Sequence, residues 1–182
     1  INFTVNKHVS FVNVTANDTL YGNAVEIIVR VGDGQTQFVE ILVNGQTHIG
    51  RLNQGMAKFY IDGLDVGNYT VNVTYDGDSS YYGRENFTFF NVTPAEMSAV
   101  VTANNVTVEE NTEFTIRDVN PRDFNGNVTI TIGDEYNNTV GVTDGIISVI
   151  VSGLTVGDKT VNVTYNGNDQ YIESSNSTNF TV

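Results

Sequence analysis

What most constrains this chain of 182 residues is that its second half restates its first. Residues 63–92, GLDVGNYTVNVTYDGDSSYYGRENFTFFNV, align without a gap on residues 153–182, GLTVGDKTVNVTYNGNDQYIESSNSTNFTV, with 16 identities in 30 positions. Self-similarity at this interval makes the repeat, and not the chain, the unit of folding. Upstream the match weakens but persists: VTAND at 14–18 pairs with VTANN at 101–105, and EIIVR at 26–30 with EFTIR at 113–117. The offset there is 87 where downstream it is 90, so loops absorb three residues. The boundaries are therefore set at 6–92 for copy one and 93–182 for copy two. Residues 1–5, INFTV, match the closing TNFTV, with Phe3 in the place of Phe90 and Phe180. They are expected to be the last strand, or a linker remnant, of a preceding repeat in a longer array.

Period two decides the secondary structure. In TVNVTY, Val71, Val73 and Tyr75 share one face while Asn72 and Thr74 share the other, the signature of a half-buried strand. Copy two repeats it with Val161, Val163 and Tyr165. Similar runs recur at FVNVTA, AVEIIVRV, FVEILV and AKFYI in copy one, and at SAVVTA, EFTIRDV, NVTITI and IISVIV in copy two. Turn pairs separate them, among them Asn44 with Gly45 and Asn125 with Gly126. About seven short strands per copy predict an all-β chain of two tandem immunoglobulin-like β-sandwiches. Gly67 and Gly157 are expected at positive φ in turns. Leu64 and Leu154 should plug one end of each core, and Tyr75 and Tyr165 should bury their rings with the hydroxyl at the rim.

The segments GNVTITI, DGIISVIVSGLTVGDKTVNVTYNGNDQY and NFTV resemble the bacterial-type Ig-like repeats of adhesin-like surface proteins from methanogenic archaea. The likeness is strongest over 127–182 and 38–92, and weakest over 19–37. It implies an extracellular, cell-surface role in adhesion or in spacing an adhesive tip from the cell, and it names no catalytic residue. The G-L-x-V-G turn is also similar to fibronectin type III modules, where a Tyr near the place of Tyr69 is common. Lys159 at the matching place in copy two argues against that narrower assignment.

Composition closes off several functions. The chain has no Cys, so disulfides, thiolate nucleophiles and Cys-based metal sites are excluded. Its net charge of −13, with only 8 Lys and Arg, leaves no cationic surface for nucleic acid or anionic membrane. Copy two is the more acidic, with 12 acidic and 3 basic residues against 9 and 5 in copy one. No nucleophile elbow, zinc-protease, P-loop or dinucleotide motif occurs. His8 and His48 occur in copy one alone and read as surface strand or turn residues. Lys7, Lys58 and Lys159 are the lysines available for a self-crosslink to Asn, and Lys58, which precedes Phe59 in a strand, reads as an exposed strand lysine. A non-enzymatic chain without a cofactor is expected.

Three sets of candidate residues remain. Asn-x-Ser/Thr occurs 13 times, far above chance for 24 Asn, partly because alternation places solvent-face Asn and Thr two apart. Asn17, Asn137 and Asn176, read as lying in or beside loops, are the glycosylation candidates. Asp118, Asn120, Asp123 and Asn125 offer closely spaced oxygen ligands of the kind Ca²⁺ prefers, without the EF-hand spacing. Finally, the copies differ where copy one has Tyr82, Phe87 and Phe89 and copy two has Ile172, Ser177 and Asn179. If Phe90 and Val92 face the core, Phe87 and Phe89 face outward, as a ligand patch or a packing surface beside the junction. The expected function is a surface adhesin segment that meets another cell, a cell wall or a glycan, beside neighbouring repeats of its own chain. A passive stalk and a carbohydrate-binding accessory module are the alternatives.

Overall fold

The computed structural model describes all residues except 1–2, 33–36, 109–111, 121–125 and 143–146, and residues 112–120 by their backbone. The chain separates into two compact units, Ile1–Pro94 and Ala95–Val182. Among the described residues every regular element is a strand, and each unit is a sandwich.

In unit 1 the strands are β1 (Val12–Ala16), β2 (Thr19–Leu20), β3 (Val25–Val31), β4 (Phe38–Val43), β5 (Gln46–Arg51), β6 (Met56–Ile61), β7 (Gly67–Gly77) and β8 (Tyr82–Thr93). One sheet runs β1-β3-β6 and the facing sheet runs β2-β8-β7-β4-β5. All pairs are antiparallel except β2, which adds two residues in parallel to the end of β8. Alternation fills the space between the sheets: Val25, Ile27, Val29 and Val31 from β3 meet Val39, Ile41 and Val43 from β4 and Val71, Val73 and Tyr75 from β7. Burying about a dozen β-branched and aromatic side chains at roughly 1.5–3 kcal/mol each supplies the driving force for a domain of this size.

Unit 2 repeats the plan with β9 (Ala95–Glu96), β10 (Ser98–Ala103), β11 (Thr112–Asn120), β12 (Gly126–Ile132), β13 (Tyr136–Val142), β14 (Ile147–Val151), β15 (Asp158–Tyr165), β16 (Tyr171–Ile172) and β17 (Ser174–Thr181). Its sheets are β10-β11-β14 and β13-β12-β15-β17, with β9 and β16 forming a short parallel pair. Val128, Ile130, Ile132, Val161, Val163, Tyr165 and Phe180 form the equivalent core.

The doubled motif acquires its structural reasons here. Leu64 and Leu154 are buried as expected, and so are Tyr75 and Tyr165. The Tyr75 hydroxyl meets Asp78 Oδ2 at 3.4 Å at the rim. The glycine expectation needs correcting: Gly157 has φ +133°, but Gly67 is not among the positive-φ residues. Left-handed backbone instead recurs at the glycine trailing each VNVTY strand, Gly77 at +81° and Gly167 at +82°. There the chain must leave β7 or β15 while hugging the next segment, and a Cβ on Gly77 would stand 2.5 Å from the Tyr81 carbonyl oxygen.

Candidate functional site

The strand closing unit 1 sets the geometry. Along β8, Phe90 and Val92 point into the core, and Phe87 and Phe89 stand on the solvent face at 58% and 64% exposure. Their rings meet edge to face with centroids 5.4 Å apart, a favourable quadrupolar arrangement that leaves one face of the pair to solvent. Tyr82 does not join them. It lies five residues before Phe87, and an odd offset on a continuous strand puts the two on opposite faces. The predicted trio is therefore a pair plus a separate exposed tyrosine.

Cross-strand register adds three residues that the sequence reading missed. Phe87 lies opposite Asn72 on β7, and Asn72 lies opposite Leu42 on β4. On the same face, Ile49 on β5 pairs with Glu40, and Phe38 pairs with Arg51. Phe38, Leu42 and Ile49 are exposed by 61%, 40% and 68%. One sheet face thus carries five large exposed apolar side chains. The signal was present in FVEILV, where Val39, Ile41 and Val43 face inward and the outward positions are still apolar at Phe38 and Leu42.

Unit 2 presents the same face with none of them. Matching registers put Asn127, Thr131, Thr139, Ser177 and Asn179 at the five places. Two of them bond polar neighbours on the same face: Thr139 Oγ1 lies 3.2 Å from Thr129 Oγ1, and Asn179 Oδ1 accepts from Thr160 Oγ1 at 2.8 Å. The sandwich plan does not require apolar residues there, because unit 2 folds the same way without them.

Many other matched residues are structural. Asn86 Nδ2 donates to the Val12 carbonyl at 2.7 Å, and its Oδ1 accepts from Phe87 N. Asn176 makes the same two bonds, to Ala99 O at 2.7 Å and from Ser177 N. Each asparagine stitches the last strand of its unit, β8 or β17, to an edge strand of the facing sheet, β1 or β10. The placement of Asn176 in or beside a loop is thereby corrected: it lies within β17, and the amide nitrogen a glycan would need is engaged. Asn17 is exposed between β1 and β2, and Asn137 is exposed on β13 next to its turn. Asp18 and Asn105 form a second shared stitch, accepting the backbone N–H of Asn91 and of Thr181. Asp78 and Asn168 form a third, each accepting two N–H groups of the following turn. Those donors, Ser80 first and Tyr81 with it, hold the Asp78 carboxyl below its ordinary range.

Tyr69 donates its hydroxyl to the Asp65 carbonyl at 2.8 Å, a tyrosine corner. Lys159 fills that place in unit 2 by other chemistry. Its ammonium binds Thr155 Oγ1 at 2.8 Å and pairs with the Glu135 carboxylate, which also accepts the Thr155 N–H and hydroxyl. Lys159, then the two Thr155 donors, pull the Glu135 carboxyl down to about 2. Contrary to the expectation from the sequence, Lys159 therefore does not speak against a fibronectin-like corner, since it replaces the tie without losing it.

His8 is exposed and its ring lies 5.7 Å from that of Tyr81. His48 is not the surface residue expected: it points inward from β5, with Nε2 buried and without a hydrogen-bond partner. Among the described residues no three His, Asp or Glu side chains converge as a metal site. Of the calcium candidates, Asp123 and Asn125 lie outside the described residues, and Asp118 and Asn120 are placed by backbone alone on β11. Lys58 is exposed and paired with Glu26 at 2.8 Å, with Tyr60 bonded to the same oxygen at 2.7 Å.

Comparison with known proteins agrees with the topology. A two-domain fibronectin type III segment of chicken tenascin superposes with a TM-score of 0.50 at 13% identity, covering 93% of this chain and 98% of that one. The fold is fibronectin type III and immunoglobulin-like. Fibronectin(III)-like modules of Clostridium thermocellum CbhA match over 94% of both chains at 16% identity, with a TM-score of 0.39. No protein-family model matches the chain, and no curated protein matches it. No described helix is long and apolar enough to cross a membrane.

Proposed function

We propose that the chain is a non-catalytic segment of a cell-surface adhesin, in which unit 1 makes contact and unit 2 acts as a hydrophilic spacer. One observation carries this reading: Phe38, Leu42, Ile49, Phe87 and Phe89 share an exposed face, and unit 2 replaces all five with Asn, Thr or Ser. Exposed apolar side chains clustered on one face mark interaction surfaces in soluble proteins. The resemblance to adhesin-like repeats of methanogenic archaea supports an extracellular location and a cell, cell wall or glycan as the partner. A passive stalk would need only faces like that of unit 2. A carbohydrate-binding accessory would use the Phe87–Phe89 pair as a stacking platform.

The test is a face exchange in the whole chain: Phe38→Asn, Leu42→Thr, Ile49→Thr, Phe87→Ser and Phe89→Asn. Unit 2 folds with those residues at those registers, so the variant should keep its thermal transition. Saturable attachment of the parent chain to cells, lost in the variant, supports the adhesin reading. Equal attachment by both chains, or none by either, refutes contact through this face.

A further inference from the structure

Resting on that reading, we infer that the apolar face of unit 1 takes an extended protein segment carrying apolar, basic and apolar residues at alternate positions. The face is a trough with two walls. Its floor is β7, which presents short side chains on this face, Thr70, Asn72, Thr74 and, at the end toward Phe38, the acidic Asp76. One wall is β4, with Leu42, Glu40 and Phe38; the other is β8, with Phe89, Phe87 and Glu85. The walls stand two inter-strand spacings apart, about 9.6 Å, the width that admits one extended chain between them.

The register fixes the order of groups along the trough. Leu42 and Phe87 flank Asn72, and in the next outward row Glu40 and Glu85 flank Thr74. Phe38 closes the β4 wall one row further on, beside Arg51 on β5. Successive rows on one face are two residues, or about 6.8 Å, apart, matching the i, i+2 spacing of an extended ligand. A ligand with an apolar residue over Leu42 and Phe87 therefore places its second-next residue between Glu40 and Glu85.

Charge decides what that residue is. Among the described residues the only ion pairs are Lys58 with Glu26 and Lys159 with Glu135, so neither Glu40 nor Glu85 has a cationic partner. Two unpaired carboxylates flanking one position, with Asp76 on the floor one row further on, favour a lysine or arginine there and repel an acid. A second copy of this chain is disfavoured on the same ground, because net charge −13 would set acidic faces together. In unit 2 the matching row is Thr139, Thr129, Thr164 and Ser175, without charge. Both the apolar walls and the acidic row are therefore confined to the less acidic unit.

The probe is a synthetic peptide, Thr-Leu-Thr-Lys-Thr-Leu-Thr, titrated into the full chain with amide resonances as readout. A control peptide has Glu in place of Lys. The expected result is perturbation confined to β4, β7 and β8 of unit 1, with affinity at least tenfold lower for the Glu peptide. The Glu40→Gln, Glu85→Gln double variant should erase that difference, and the face exchange should abolish binding. Diffuse attraction of a cation would instead perturb the more acidic unit 2. Equal binding of the two peptides, perturbation outside the trough, preferential binding of cellohexaose at this face, or self-association lost in the face exchange each overturn the inference. Should the face exchange abolish cell attachment while the carboxylate pair proves indifferent, the adhesin reading survives and the segment inference falls. Should attachment survive the face exchange, the adhesin reading falls first.

Discussion

Gly50 on β5 lies directly beneath the ring of Phe59 on β6, so that a Cβ on Gly50 would stand 2.5 Å from Cζ of that ring. The two residues belong to facing sheets. Unit 2 fills the same space differently: Val140 pairs with Val128 where Gly50 pairs with Val39, and Val149 pairs with Phe114 where Phe59 pairs with Ile27. A large and an absent side chain in one unit correspond to two of middle size in the other. Across these two positions the side-chain volume is similar in both units while its partition between the sheets is not.

Gly50→Val should therefore overpack unit 1 and cost about 1–3 kcal/mol. Phe59→Val should leave a cavity and cost a similar amount, about 1–3 kcal/mol. Together they recreate the partition of unit 2, and the double variant should recover more than 1 kcal/mol relative to the sum, the coupling expected of residues in contact. Urea unfolding of the four proteins measures this; strict additivity would mean that the ring and the glycine do not share one space.

The stitches at Asn86 and Asn176 predict unequal costs among chemically identical sequons. Asn86→Ala removes the donor to Val12 O and the acceptor of Phe87 N, and should cost about 1–2 kcal/mol for two net hydrogen bonds. Asn72→Ala, on the solvent face of β7, should stay within about 0.5 kcal/mol. In a glycosylating host, peptide mapping should find Asn17 or Asn137 modified before Asn176, whose amide is occupied. A glycan on Asn176 with the fold intact would refute the stitch.

How much of this was legible follows from where each fact resides. Alternation along TVNVTY told Val71 from Asn72, because the strand period is written in one segment and the repeat wrote it twice. The outward set of Phe87 and Phe89 followed for the same reason. Phe38, Leu42 and Ile49 did not, because their neighbourhood is a matter of register among β5, β4, β7 and β8, and a slip of one residue would have sent them inward. Lys159 misled because a sequence shows a lost tyrosine but not a carboxylate arriving from β13's turn, 24 residues away. Gly67 misled because Gly63, Gly67 and Gly77 look alike until the backbone shows which of them turns left-handed.

That last distinction is testable within the motif. Gly77→Ala forces a side chain into φ +81° and against the Tyr81 carbonyl at 2.5 Å, and should cost more than about 1 kcal/mol. Gly67→Ala meets only a Tyr69 ring carbon at 3.8 Å, ordinary contact, and should be neutral within about 0.5 kcal/mol. Thermal melts of the two variants should separate clearly, and equal losses would contradict the backbone assignment.

Glu135 contributes a pH dependence to unit 2. Its carboxyl lies at about 2 in the folded chain against an ordinary 4.5, drawn down first by Lys159 and then by the N–H and hydroxyl of Thr155. A carboxyl depressed by folding contributes stability above its unfolded pKa and loses it as pH falls through the folded value. The contribution is thus complete above about pH 4.5 and gone below about 2. Carbon-detected titration should place the Glu135 midpoint near 2. Lys159→Met should move it upward, though not all the way, because both Thr155 donors remain. Glu135→Gln should lower the melting temperature most above pH 4.5, and the gap from the parent chain should close toward pH 2. A gap that stays constant across that range would show that Glu135 does not carry the corner.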